Sequence, residues 1–386
     1  MAENFKMIAK TLYGMEAVLS EELRKLGARD VREGVRCAFF EGDTGFMYKA
    51  NLSLRTALRI LKPIQTFQIR RQEELYSRVQ DISWDLYLDP SMTFVVDTVL
   101  NSEHFSNSLF VSQKAKDAIV DQFREQVGER PTVSVSDPDL RIHLHLQGNT
   151  VHVSLDSSGS SLHRRGYRME TNIAPINEVL AAGSLLLSGW RGQSDFLDPM
   201  CGSGTFLIEA AMIACNIPAN INRDHFGFQN WKDYDPDLFR TIHEASLGRI
   251  REFHYKMHGY DKAPSAIRKA TENIESANLS EYIALEQKDF FLSEKQTEGP
   301  LYLICNPPYG ERLSVDMESF YKEFGNTLKR NYTNTRAWMF TGNLQALKYV
   351  GLRPSRKIKL FNGSIECRLA LFEIYAGSKK AKYNPR

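Results

Sequence analysis

The sequence predicts an α/β protein of more than one domain whose last domain is built on a mostly parallel sheet ending in an antiparallel hairpin. Three observations predict it. From about residue 175 onward, short apolar strand patterns alternate with helical ones, as in a parallel sheet covered on both faces. The last two strand patterns, 357–360 and 366–374, flank Phe-Asn-Gly-Ser, and Asn362-Gly363 is a strong hairpin signal. The length, 386 residues, exceeds that of one ordinary domain.

Taken in order, residues 5–12 form a candidate strand. An amphipathic helix over 15–26 turns Val18, Leu19, Leu23 and Leu26 inward and stops at Gly27, the expected carboxyl cap. A strand is expected over 35–40, a mostly helical pattern over 45–61, and an extended segment over 64–69 after Pro63. The next stretch, about 70–157, holds a helix near 73–79, an alternating strand over 94–100 and an amphipathic helix over 113–127 closed by Gly128. A hairpin over 141–155 follows, turning at Gly148-Asn149. It puts Ile142, Leu144 and Leu146 on one face and His143 and His145 on the other, with His152 opposite His145. No further ligand comes at a telling spacing, so these histidines predict a solvated polar face and no metal.

Ser-Ser-Gly-Ser-Ser at 157–161 reads as a short flexible stretch. His-Arg-Arg-Gly-Tyr-Arg follows at 163–168, where Arg164, Arg165 and Arg168 either form a solvated face or grip an RNA backbone. In the second half, strands are expected over 195–198, 253–261, 283–289, 301–306 and 336–341.

The composition, 42% apolar and 25% charged, is that of a soluble globular protein. No apolar run approaches a membrane span, and the first residues lack a secretion signal, so the expected location is the cytoplasm. The five cysteines are scattered without Cys-x-x-Cys spacing, which opposes a zinc ribbon or a disulfide framework and fits reduced thiols. The net charge is only +2, so any nucleic-acid contact must rest on local charge.

Two segments carry chemistry. Asp-Phe-Leu-Asp-Pro-Met-Cys-Gly-Ser-Gly-Thr spans 195–205: a strand ends at Asp198, a turn passes Cys201, Gly202 and Gly204, and a helix begins near Thr205. Bare glycine backbone lets a nucleotide-like ligand approach. A third glycine of a dinucleotide fingerprint is missing, and the acid at the strand end would repel a pyrophosphate but suits a cationic sulfonium. The next two strand patterns also end in acids, Asp261 for ribose hydroxyls and Asp289 for an adenine amine, with Phe290 beside the ring. The second segment, Leu-Tyr-Leu-Ile-Cys-Asn-Pro-Pro-Tyr-Gly at 301–310, delivers Asn306, two backbone-fixing prolines and an aromatic. The Asn306 side-chain oxygen and the Pro307 carbonyl can accept both hydrogens of an exocyclic base amine, Pro308 fixes the turn, and Tyr309 can stack on a flipped base.

Asp-Pro-Met-Cys-Gly-Ser-Gly-Thr with Asn-Pro-Pro-Tyr resembles the class I amino-methyltransferases of nucleic acids. Asn-Leu-Ser-Leu-Arg-Thr-Ala at 51–57, the 163–168 joint, Ile-Pro-Ala-Asn-Ile-Asn and Phe-Gly-Phe-Gln-Asn-Trp-Lys-Asp within 217–233 extend that likeness to the bacterial large-subunit rRNA guanine-N2 methyltransferases. The resemblance implies a ferredoxin-like domain at 1–66, a THUMP RNA-binding domain at 67–157 and a Rossmann-like methyltransferase domain at 165–380. It implies S-adenosylmethionine as cofactor, held by Asp198, Cys201, Gly202, Gly204, Thr205, Asp261, Asp289 and Asn306. It also implies structured RNA as partner, rRNA before tRNA, with N2 of a guanine as the methylated atom. Met200 stands where many class I methyltransferases have the first glycine of the loop.

The long stretch 212–248 mixes Phe226, Phe228, Trp231 and Tyr234 with Arg223 and Lys232. Phe228 and Trp231 either stack bases or pack inward. Three other readings compete: a dehydrogenase, opposed by the missing glycine and by the Asn-Pro-Pro-Tyr strand; a cytosine-carbon methyltransferase, for which Cys305 lies too deep in its strand; and a non-catalytic RNA-binding relic, opposed by the intact Asp198, Asp261 and Asn306 set.

Overall fold

The computed structural model describes residues 3–102, 105–168, 176–308 and 316–375, which form two compact units. The first comprises residues 1–11, 19–162 and 223–245; the second comprises 12–18, 163–222 and 246–386.

The first unit is built on one mixed sheet. Its elements are β1 (Phe5–Lys10), α1 (Glu16–Leu26), β2 (Arg29–Gly34), β3 (Cys37–Gly42), α2 (Thr44–Ser53), β4 (Arg59–Gln68), α3 (Glu74–Gln80), β5 (Thr93–Asn101), α4 (Ser108–Val127), β6 (Thr132–Val133), β7 (Leu140–Gln147) and β8 (Thr150–Asp156). The strand order is β2-β3-β1-β4-β8-β7-β5-β6, so the two sequence halves of this unit share a single eight-stranded sheet. Helix α1 takes its first residues from the stretch assigned to the second unit.

The helix expected over 45–61 ends at Ser53. The Glu22 carboxylate accepts the backbone amides of Arg55 and Thr56, each at 3.0 Å, and turns the chain toward β4. Pro63, expected to precede a strand, sits inside β4, where a register shift between Pro63 and Gln65 absorbs it. The 141–155 hairpin has the expected register, with Ile142, Leu144 and Leu146 buried and His145 opposite His152. Its polar face is half-buried: burial pushes the His143 imidazole down to about 4, leaving it neutral.

The 157–161 stretch, expected to be flexible, is packed. Ser157 and Ser158 are buried, and Asn51 donates to the Ser157 hydroxyl (2.9 Å) and accepts from that of Ser158 (2.6 Å). Arg223 donates to the carbonyls of Ser158, Ser160 and Ser161.

The second unit continues with α5 (Glu178–Ser188), β9 (Asp195–Asp198), α6 (Thr205–Ala214), α7 (Pro236–Leu247, most of which lies in the first unit), β10 (Met257–Asp261), α8 (Pro264–Ser276), β11 (Ile283–Gln287), β12 (Leu301–Cys305), α9 (Met317–Asn331), β13 (Thr335–Thr341), β14 (Arg356–Asn362) and β15 (Ile365–Ile374). The order is β11-β10-β9-β12-β13-β15-β14; the first five are mutually parallel and β15 is antiparallel to both its neighbours. The hairpin closes at Asn362–Ile365 with Gly363 left-handed at φ 61°, where the Asn-Gly pair placed it. On one side of the sheet α5, α6 and α8 bury Trp190, Phe196, Tyr302 and Trp338; on the other, α9 buries Tyr321, Phe324 and Leu328 against Leu303 and Met339. Among the described residues no helix is long and apolar enough to cross a membrane.

Candidate active site

The site follows from the strand order. From β9 the chain moves outward through β10 and β11, then crosses back to lay β12 and β13 on the other side. Such a reversal leaves a crevice beyond the carboxyl ends of the two strands that flank it. Leu197 pairs with Leu303, so Asp198 and Asn306 leave neighbouring strands at the same end.

Beyond β9 the backbone turns through Gly202 (φ 55°) and Gly204 (φ 83°), a left-handed pair that only glycine adopts cheaply, and enters α6 at Thr205. The turn is tied on every side. The Cys201 amide donates to the Tyr260 carbonyl at 2.9 Å and the Gly204 amide to the Cys201 carbonyl at 2.8 Å. Asn273 of α8 donates to the Ser203 carbonyl at 3.0 Å. Asp261, at the end of β10, accepts the amides of Gly202 (3.0 Å) and Ala263 (2.9 Å).

Asp198 is 2% exposed and accepts the Met200 amide at 3.2 Å. Burial, with Asp261 nearby, pushes its carboxyl up to about 8, so in the free protein it is mostly protonated at neutral pH. Such a group is poised to ionise when a cation arrives. Asp289 caps the turn at Phe290–Leu292 by accepting the Phe291 amide at 2.9 Å.

Asn306 is half-buried, but its Oδ1 is buried with no hydrogen-bond partner among the described residues. An orphaned buried acceptor costs about 1–3 kcal/mol. Other such atoms, Ser184 Oγ and Trp338 Nε1 among them, lie in the core; this one stands where β12 opens onto the crevice. Pro307 is buried and Pro308 exposed, while Tyr309 lies outside the described residues.

The geometry corrects several expectations. Arg165 is 0% exposed: its guanidinium donates to Glu209 of α6 at 3.2 Å and to Asn220 at 3.2 Å, so it holds the joint to the helix behind the glycine turn and presents no charge to RNA. Arg168 reaches Glu178 (2.5 Å), Ser203 (3.3 Å) and Thr205 (3.0 Å), which makes it a brace of the turn. Of the three arginines Arg164 alone is exposed, beside a cleft of about 460 Å³ that His163 and Asn177 also line. Phe228 and Trp231 pack inward. The Phe228 ring stacks on Tyr48 at 4.3 Å and meets Phe239 at 5.3 Å, and Trp231 is 6% exposed, so neither ring can take a base. Phe290, expected beside an adenine, is buried against Phe324 and Tyr332. Cys305 is buried, as its place within the strand implied, and burial raises its thiol well above the ordinary value. The bracing roles of Arg168 and Asn273 went unread, because each joins segments tens of residues apart and neither has a local spacing that marks it.

Models of three families match consecutive stretches of the chain: an RlmL ferredoxin-like domain over residues 6–61, a THUMP domain over 70–156, and an RMKL-like methyltransferase domain over 165–370. A ribosomal RNA large subunit methyltransferase K/L of Cellvibrio japonicus is 40% identical over 376 residues, covering 94% of this chain and 50% of the relative. That of Syntrophotalea carbinolica is 38% identical, with 96% and 53% covered. The chain thus spans about half the length of these curated relatives. A Synechocystis protein whose name proposes it as an RNA methyltransferase is 35% identical, with 94% of this chain and 95% of that one covered. Among solved structures, one of a proposed methyltransferase complexed with S-adenosylhomocysteine superposes with a TM-score of 0.86 at 31% identity, covering 98% and 100% of the two chains. A possible methylase from Clostridium difficile gives 0.87 at 29%, with 98% and 100% covered.

Proposed function

Because the chain belongs to the RMKL-like methyltransferase family, with RlmL ferredoxin-like and THUMP domains before the catalytic one, we propose that it transfers a methyl group from S-adenosylmethionine to the exocyclic N2 amine of a guanine in large-subunit ribosomal RNA. Domain limits of 1–66, 67–157 and 165–380 go with this reading, as does action in the cytoplasm. The single observation that carries it is the Oδ1 of Asn306, buried and without a partner among the described residues, at the switch between β9 and β12.

The residues present fit the cofactor. The backbone at Gly202 and Gly204 is bare, and buried Asp198 offers a carboxylate to a positive charge. Asp261 retains lone pairs for ribose hydroxyls beyond the two amides it already accepts. Bound there, S-adenosylmethionine supplies an electrophilic methyl group on a sulfonium. Asn306 then works on the nucleophile. The guanine amine is weakly nucleophilic because its lone pair is conjugated with the ring. Accepting one N–H at Asn306 Oδ1 and the other at the Pro307 carbonyl holds the nitrogen pyramidal and frees that pair. Tyr309 stacks on the extruded base, Asp289 orients the adenine, and Arg164 contacts a phosphate.

The test is mass spectrometry of nucleosides from large-subunit rRNA of cells lacking the gene, complemented with the wild type or with Asn306→Ala. One N2-methylguanosine should vanish without the gene and return only with the wild type. Purified Asn306→Ala should still bind the cofactor and melt as the wild type does, with single-turnover methyl transfer slowed on the order of 100-fold or more. Transfer at the wild-type rate would sink the role given to Asn306. Loss of a modification in tRNA instead would reassign the substrate.

A further inference from the structure

The chain as a whole carries a net charge of only +2, yet from Gly342 to Ile365 it has five cations, Lys348, Arg353, Arg356, Lys357 and Lys359, and no carboxylate. Arg356, Lys357 and Lys359 stand on β14, the outer edge of the second unit's sheet, and Lys348 and Arg353 lie in the connection that leads to it. All five side chains are exposed, and β14 is the terminal strand. Lys359 pairs with Glu366, which also takes Arg368. Lys348, Arg353, Arg356 and Lys357 meet no carboxylate among the described residues. Aromatic rings sit between the charges: Lys348 lies 4.8 Å over Tyr349, Lys359 5.2 Å over Phe361, and Phe361 packs edge-on against Tyr13 at 5.5 Å.

Lysines on an edge strand often serve only to prevent strand-to-strand association. That role accounts for Lys357 and Lys359 but not for Lys348 and Arg353, which lie off the strand. The strip is also aimed. Strand β14 is antiparallel to β15, and β15 to β13, so β14 runs in the direction of the parallel strands and its Asn362 end lies at the end of the sheet that carries Asn306. Three strand spacings, roughly 14 Å, separate β12 from β14. A helix whose base is extruded at Asn306 has phosphates within that reach.

We propose that the edge formed by β14 and the turn before it grips the phosphate backbone of the RNA helix next to the target base. The proposal rests on RNA being the substrate. It adds a contact surface on the catalytic domain itself, one that reads no sequence and sets the register of the helix over the site.

The test uses the full chain and deproteinised large-subunit rRNA, with affinity measured across a salt titration. The variant is Lys348→Gln, Arg353→Gln and Lys357→Gln combined. The control neutralises three exposed cations elsewhere, Lys25, Arg240 and Arg268, each of which already faces a carboxylate. If each edge cation meets one phosphate, the variant's log-log slope should fall by roughly two to three units, while the control moves little. Cofactor binding and melting temperature should be unchanged in both. An unchanged slope, or an equal fall in the control, overturns the proposal and leaves the RNA reading standing. Self-association of the variant with RNA binding intact would assign the charges to edge protection instead. Absence of salt-dependent RNA binding by the wild type would overturn both readings together.

Discussion

Asp198 shows how one residue links burial to ligand binding. Its carboxyl sits at about 8 in the folded protein against an ordinary value near 3.8, because burial disfavours the charge. The sign follows directly. A folded value above the unfolded one means that the folded state holds the extra proton, so this group's contribution to stability is present below about pH 4 and is lost as pH rises toward 8. In the proposed binding mode the cofactor's sulfonium and ammonium lie beside it and favour the carboxylate. Cofactor binding near pH 7 should therefore release close to one proton from this residue, falling away above about pH 9. Calorimetry in buffers of different ionisation enthalpy measures that number, and Asp198→Asn subtracts the ligand's own amine. Equal proton release by wild type and variant would mean that Asp198 does not ionise on binding.

Among the elements, the segment at 223–245 is the most instructive. Its Phe226, Phe228, Tyr234 and Phe239 form a ring cluster around Tyr48 of α2. Truncating the central ring, Phe228→Ala, should cost about 3–5 kcal/mol in thermal or denaturant unfolding, as for other buried aromatics, and leave the salt slope of RNA binding untouched. A flattened slope with normal stability would restore the base-stacking role. Sequence patterns did reveal the regular elements here. The β9 strand, the 141–155 hairpin and the Asn362-Gly363 turn stand where alternation and turn chemistry put them. So does the crevice, because Asp198, Asp261 and Asn306 each follow a strand pattern. What stayed hidden depends on distant partners. Strand β2 is an exposed edge without apolar alternation. The Ser-rich 157–161 stretch looks loose until Asn51 and Arg223 are seen to fasten it. Arginines 165 and 168 look like surface charge because Glu209 and Glu178 lie tens and ten residues away in sequence, respectively.

At the scale of the molecule, both units are assembled from discontinuous chain. Residues 12–18 belong with the second, where the Met15 side chain fills the space over Gly183, and residues 223–245 belong with the first. A fragment starting at His163 is therefore not a clean second unit. It should aggregate, because the rings of 223–245 lose their cover. Replacing that segment with a short Gly-Ser linker should give a soluble fragment, since Arg251 and Cys215 already pair at the base of the excursion at 2.9 Å. The relinked fragment should bind S-adenosylmethionine but melt below the full chain for want of Met15, which thermal melts with and without cofactor would show. A soluble fragment that keeps 223–245 would contradict this account. The same discontinuity sets an order of events during synthesis. The first unit cannot close when Leu162 leaves the ribosome, because the rings that complete its core are encoded up to 77 residues later, at Phe239. At ordinary elongation rates Tyr48 waits roughly 9 to 38 s for Phe228 and Phe239, so the first unit matures only after the glycine turn of the second has itself been made.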